Sequence, residues 1–260
     1  MRDTIAVYSL WRDSEPHLSR TLSQLEDLES LDYDFEYYFY ENDSRDNTFA
    51  ILSDWIKPRS GKFKSEKLNK KKFGSTTDYE RVELLSNFRN KCKDLGAGSD
   101  SKYSLLIDSD IIFNKNNLQQ SLDLINKCIA VSPNVRQNIP DYVGEKNDTS
   151  YYDVFPFIDR FGNSGNYWDD CPFKNGIDRM NWSLGNPVKA ISCFGGFFLL
   201  RSETFYKVDW STDGGSEHVN FCKNLSKHGK ILIDPKNKVY TELDLSKFNL
   251  NNFKQRAKIQ

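Results

Sequence analysis

Asp108 and Asp110 stand two residues apart, directly after the apolar run at 102–107 (KYSLLI). On a strand, residues i and i+2 point the same way, and a short turn at the strand's end converges them. Two carboxylates held like this offer the hard oxygen donors that suit Mg2+ or Mn2+, which keep some waters and take phosphate oxygens as further ligands. Such an ion stabilises charge on a departing diphosphate. A bare Asp-x-Asp arises often by chance, and a solvated acidic turn is the plain alternative. Its place at the end of an apolar strand favours the metal. Asp110 is then the direct metal ligand, Asp108 is shared between metal and ribose, and Ser109 lies in the same contact.

Residues 41–48 (ENDSRDNT) form a second polar turn after a strand. Acidic and amide side chains there can meet a nucleobase or ribose, and Glu41 is expected in that role. Asn47 or Thr48 is expected to cap the following helix. Asn42-Asp43-Ser44 is a glycosylation sequon inside this turn; a glycan would block the site, which points to a cytosolic chain. Arg89 precedes the Asp-x-Asp strand and can pair with phosphate or with Asp108. Leu10 and Arg12, at and after the end of the first strand, are counted with the nucleotide contacts. Near the other end, 213–218 (DGGSEH) precedes a helix. Its glycines make a loop able to present Glu217 to a ligand, with Ser216 as the cap. His218 is one of three histidines and a candidate metal or acceptor ligand, although a lone histidine is more often structural.

The elements that must position these residues follow from periodicity. Residues 4–10 read as a buried strand and 16–28 as a helix, with leucines at 18, 22, 25 and 28 on one face. A strand at 35–40 and a helix at 48–55 follow, so the chain opens strand–helix–strand–helix. Residues 57–78 are rich in Lys, Ser and Gly and read as a surface loop, with a basic lid over phosphates as the sharper alternative. Residues 79–95 read as a helix, 102–107 as a strand that 111–113 continues, and 118–131 as an amphipathic helix. The stretch 132–188 is irregular, rich in aromatic, Asp, Asn and Gly residues, and is assigned to the acceptor side. An apolar segment with a Gly-Gly pair (190–201), a helix (216–228), and short strands at 230–233 and 238–240 complete the pattern. The tail from 245 is polar.

A chain of 260 residues suits one large α/β domain. A net charge of −1 gives no electrostatic case for nucleic acid or an anionic membrane. Five widely spaced cysteines suggest neither a zinc knuckle nor a disulfide framework, only reduced thiols. No leader or membrane span is read, so a cytoplasmic location is expected. Aromatics make up 14% of the chain, which suits packing against sugar rings as well as ordinary core.

Taken in order, YENDSRDNT (40–48), RVELLSNFRN (81–90), YSLLIDSDIIF (103–113), YYDVFPFIDRFG (151–162), VKAISCFGGFFLLR (188–201) and SEHVNFCKNL (216–225) resemble a GT-A glycosyltransferase. More narrowly they resemble the fungal capsule-associated alpha-1,3-mannosyltransferase family, glycosyltransferase family 69. The resemblance implies a GT-A type α/β fold: a single domain with a Rossmann-like mixed central sheet flanked by helices. Residues 1–131 would form the nucleotide-sugar-binding half, 132–244 the acceptor half and 245–260 the tail. It implies a nucleotide-sugar donor (GDP-mannose first, a UDP-sugar second), Mn2+ or Mg2+, and a glycan acceptor. Glu41 would lie near the base, Arg89 near the phosphates, Asp108 and Asp110 at ribose and metal, and Glu217 on the acceptor side. In inverting enzymes of this fold an acid at that place is the general base. The fungal family is expected to retain configuration, and there Glu217 would position the acceptor or stabilise the oxocarbenium-like state. The fungal members differ in being membrane-anchored and in having a metal motif other than a plain Asp-Ser-Asp.

Two other classes fit less well. A nucleotidylyltransferase acting on sugar phosphates expects a glycine-rich basic loop after the first strand, where this chain has Trp11-Arg12-Asp13-Ser14. A non-catalytic carbohydrate-binding module accommodates the aromatics but gives no reason for two acids at a strand end.

Overall fold

Residues 4–10 carry apolar side chains on both strand faces, which demands cover above and below the sheet. The computed structural model of the chain describes residues 2–73, 78–138, 150–166, 169–212 and 215–242. Residues 74–77 of the expected loop, residues 139–149, 167–168, 213–214 and 243–244 of the expected acceptor half (213–214 being Asp213-Gly214 before Glu217), and the polar tail from 245 lie outside the described residues. The first half runs β1 (Thr4–Trp11), α1 (Glu15–Leu28), β2 (Asp34–Asn42), α2 (Thr48–Ile56), β3 (Gly61–Glu66), α3 (Tyr79–Leu95) and β4 (Tyr103–Ile107). β3, β2, β1 and β4 lie side by side in that order, all parallel. Strand alternation divides their cover. Ile5 and Val7 pack with Leu18, Leu22 and Leu25 of α1, while Ala6 and Tyr8 pack with Phe88 and Cys92 of α3.

The second half runs β5 (Ile111–Ile112), α4 (Lys115–Ile125), β6 (Ala130–Asn138), β7 (Ser150–Tyr151), β8 (Ile158–Asp159), α5 (Gly176–Ser183), β9 (Val188–Ser192), β10 (Phe197–Arg201), α6 (Ser202–Phe205), α7 (Glu217–Ser226) and β11 (Ile231–Glu242). The sheet continues from β4 through β10, β6, β11, β9 and β8, with β5 on β11 and β7 on β6. β10 is antiparallel to both β4 and β6, and β11 is parallel to β6. The result is a mixed central sheet flanked by helices. No helix among the described residues is long and apolar enough to cross a membrane.

Several boundaries differ from the sequence reading. The stretch 57–78 holds β3, an edge strand paired on one side only, so its lysines face solvent and no alternation shows. α4 ends at Ile125 and β6 begins at Ala130. The apolar spacing of a helix followed at once by a buried strand imitates one longer helix. The irregular region contains β6, β7, β8 and α5. β11 is one strand rather than two. It crosses Pro235 with a register shift, and there buried Asn237 donates to Asn117 O (2.9 Å) and Ser121 Oγ (3.0 Å) of α4. All five cysteines are buried and free.

The antiparallel entry of β10 brings Gly195-Gly196 to the edge where β4 ends. Phe197 pairs with Ile107, and the Asp108 N–H donates to Gly196 O at 2.8 Å. Gly196 has φ +99°, and a Cβ there would come within 2.5 Å of Ile111 Cδ1. Both conditions exclude a side chain. Gly196→Ala is expected to lower stability by about 1–3 kcal/mol, the cost of a strained backbone site, read as a shifted urea midpoint.

Candidate functional site

The carboxyl ends of parallel strands are where open α/β sheets bind ligands. Here that edge opens into a cavity of about 460 Å³, walled by residues that follow β1 and β4, by α3, by Tyr152-Asp153, by Gly195-Gly196 and by the start of α7. Leu10, Arg12, Arg89, Asp108, Ser109, Asp110, Glu217 and His218 all line it.

The Asp108–Asp110 turn is held by α1. The Ser109 carbonyl accepts from Thr21 Oγ1 (2.7 Å), the Ile111 carbonyl from Gln24 Nε2 (3.0 Å), and Ser109 Oγ meets Ser14 Oγ at 3.3 Å. Burial, then the adjacent Asp108 charge, pushes the Asp110 carboxyl up to about 6. Such a pair resists double ionisation and gains from a cation. Among the described residues no group of three or more His, Cys, Asp or Glu forms a metal cage. Two carboxylates with the rest left to water and phosphate is the donor set that Mg2+ and Mn2+ accept, so the residues fit the ion.

Behind this turn lies Arg89. Its Nη2 is 3.2 Å from Asp108 Oδ1, its Nε is 3.5 Å from Glu217 Oε1, and its guanidinium carbon sits 5.2 Å from the Phe194 ring centre. Burial opposes its charge, but the carboxylates of Asp108 and Glu217 outweigh that and hold it protonated. Burial also opposes the Glu217 charge, yet His218 and Arg89 hold that carboxyl well below the usual range. Ser216 caps α7 by accepting from the His218 N–H. The His218 ring stacks on Phe194 at 3.8 Å. Burial and Arg89 hold its imidazole below the ordinary value. Nδ1 accepts from Trp210 Nε1 (3.5 Å), and Nε2 faces Glu217 Oε1 (3.3 Å). Neither nitrogen offers an open lone pair in this arrangement, which separates His218 from the metal role expected of it.

The residues expected to meet a nucleotide are arranged differently from the sequence expectation. Glu41 is buried, with Oε1 accepting from the Ser44 N–H (2.8 Å) and Oε2 from Ser65 Oγ. It ties β2 to β3 and its loop, and Asn42 lines the cavity instead. Asn47 holds the N-cap position of α2, as expected, but its side chain makes no capping bond. Asp46 accepts from the Thr48 N–H (3.0 Å) and from the Glu15 N–H (3.1 Å), so it serves two helices. Arg12 donates to the carbonyls of Lys70 (2.6 Å) and Lys71 (3.2 Å). The Asp43 carboxylate accepts from the N–H groups of Leu68, Asn69 and Lys70 at 2.7–3.0 Å. The segment read as a loop is thus strapped down between these two residues, and Lys72 and Phe73 reach the cavity wall. Sequence reasoning also passed over Tyr152 and Asp153. The aromatic-acid triplet at 151–153 was the available signal, hidden in a region with no periodicity.

No protein-family model matches the chain, and no curated protein sequence matches it significantly. Solved structures do. S. aureus TarS 1-349 in complex with UDP superposes with a TM-score of 0.56 at 13% identity, over 94% of this chain and 62% of that one. GalNAc-T7 with UDP, GalNAc and Mn2+ gives 0.59 at 15% identity, over 94% and 44%. The mannosyltransferase PcManGT from Pyrobaculum calidifontis with GDP-Man and Mn2+ gives 0.52 at 11%, over 92% and 57%. These are GT-A glycosyltransferases, and the chain has their fold. It spans about three fifths of the length of the TarS 1-349 chains.

Two outcomes follow from the charges. Removing the Arg89 guanidinium leaves the buried Glu217 without its cation, so Arg89→Ala is expected to cost about 3–5 kcal/mol in urea unfolding. The sign is opposite at Asp110. Its folded carboxyl binds a proton more tightly than the ordinary value of 3.8, so stability falls as pH rises from there to about 6. Asp110→Asn is expected to remove the Asp110 share of that decline, leaving the share of Asp153, whose carboxyl is lifted likewise, and to raise the stability of the metal-free protein at pH 7.5 by about 1–3 kcal/mol. Melting curves in EDTA across pH 4–8 check it.

Proposed function

We propose, starting from a fold shared with nucleotide-sugar glycosyltransferases, that this protein moves a sugar from a nucleotide-sugar donor to a glycan acceptor. The observation that carries the reading is the Asp108–Asp110 turn, which closes the carboxyl end of β4 and lines the cavity with Arg89 behind it. Asp108 and Asp110 would hold a divalent ion there, and when bound it would supply neutralisation of the diphosphate leaving group. Arg89, through Asp108, fixes the direction in which that carboxylate points. Asn42 and Leu10 lie where a nucleoside following the ends of β1 and β2 would rest, and Lys72 on the strap is within the same wall to meet phosphate.

GDP-mannose is the donor we favour, on the ordered motifs that resemble the fungal mannosyltransferase family; a UDP-sugar is second. The neighbours in fold were crystallised with both nucleotide classes, so the fold gives no preference. Transfer of a nucleotidyl group is disfavoured by the loop after β1, whose Ser14 and Arg12 are engaged with Ser109 and the strap rather than cradling phosphates.

The test is release of nucleoside diphosphate from GDP-mannose and from UDP-sugars, with Mn2+ and with EDTA. Wild-type protein is expected to turn over one donor only with metal. Asp110→Ala is expected to lose at least about 100-fold, since the metal contributes several kcal/mol of charge stabilisation. Unchanged turnover in that variant would sink the reading.

A further inference from the structure

Two acids beyond the Asp108–Asp110 turn, Glu217 and Asp153, line the cavity, and their surroundings are opposite. Glu217 is buried, and one of its oxygens is shared by Arg89 Nε and His218 Nε2. A carboxylate held this way has its charge compensated and takes up a proton poorly. Asp153 lines the same cavity and is only partly covered. Among the described residues its carboxylate accepts one hydrogen bond, from the Phe155 N–H to Oδ1 at 2.8 Å. Its Oδ2 has no protein donor among them. The charged groups around it are Glu217 of α7, Arg81 of α3 and Asp108 at the end of β4. Burial first, then the Glu217 and Asp108 charges, lifts its carboxyl to about 6 against the pull of Arg81 and of the Phe155 N–H.

The backbone that carries Asp153 is firmly placed. Tyr151 packs edge-on against Phe157 (5.7 Å) and Trp182 (5.8 Å). The Tyr152 carbonyl lies where a Cβ on Gly195 would meet it at 2.7 Å. Glycine at that position lets the two walls of the cavity come together.

We propose that Asp153 is the general base of this site, and that Glu217 is a positioning residue that holds Arg89. The proposal rests on the glycosyl-transfer reading above. In the step, the acceptor oxygen forms a bond to the anomeric carbon of the donor sugar. The bond from that carbon to the diphosphate oxygen breaks, and its electron pair leaves with the nucleoside diphosphate. The proton of the acceptor hydroxyl passes to the Asp153 carboxylate. A single displacement of this kind inverts the anomeric configuration, whereas the family the motifs resemble is expected to retain it.

The test uses the full chain with Mn2+ and three donors, GDP-mannose, UDP-GlcNAc and UDP-GalNAc, with water as acceptor. Asp153→Ala is expected to lower kcat for donor hydrolysis by about 10²–10⁴-fold, while calorimetric binding of GDP or UDP with Mn2+ changes less than about threefold. Azide, a nucleophile with no proton to remove, is expected to restore nucleotide release in the variant and to yield the inverted glycosyl azide. The variant's melting temperature separates loss of the base from loss of the fold. Hydrolysis within about threefold of wild type, no rescue by azide in a folded variant, or a first product with retained configuration would each overturn the assignment. So would a wild-type protein that binds nucleotide yet hydrolyses none of the donors, because a base activates water too. Failure to bind either nucleotide would instead overturn the reading of the site, and this inference with it.

Discussion

A guanidinium buried between two carboxylates organises this molecule. Arg89 comes from a helix in the first half of the chain, Asp108 from the end of β4, and Glu217 from the first turn of α7. A buried charge left unpaired costs several kcal/mol, so the three elements must stay together for any of them to keep its charged group. The pairing spans 128 positions of sequence between Arg89 and Glu217. It joins the first half of the chain to the second in the lining of the cavity. It also orients Asp108, and so sets where the acid pair presents its oxygens.

The remaining charges are not balanced in the same way. Asp110 and Asp153 line the cavity with their carboxyls lifted, while Glu217 is pinned low. Environments that push acids apart assign them different work. One acid is suited to a cation, one to a proton, and one to holding an arginine. All three line one cavity.

That cavity depends on backbone geometry as much as on charge. β10 runs against β4, so its leading glycines meet the Asp108 turn, and no side chain fits at Gly196 beside Ile111. Solved structures at 11–15% identity share the fold. Folds at that distance keep layer order and apolar patterning while most side chains change. The fold is therefore what this chain shares with those structures.

The sequence by itself determined where the acid pair would stand. Unbroken apolar runs have to become buried strands, and a polar pair just past such a run must lie at the sheet's edge. The same reasoning located α1, α3 and α7, whose apolar spacing repeats at the helical period. It failed where pattern is not the deciding force. β3 is an edge strand with one neighbour, and β11 bends across a proline, so neither shows clean alternation. Tertiary structure alone decided that Glu41 turns inward to Ser44 and Ser65 while Asn42 faces the cavity. It alone brought Glu217 to Arg89 and Asp153 to the cleft. The physical reason is the same in each case. Which way a side chain at a strand end points, and what it meets, is set by register and crossing geometry between segments far apart in the chain, and no local spacing encodes that.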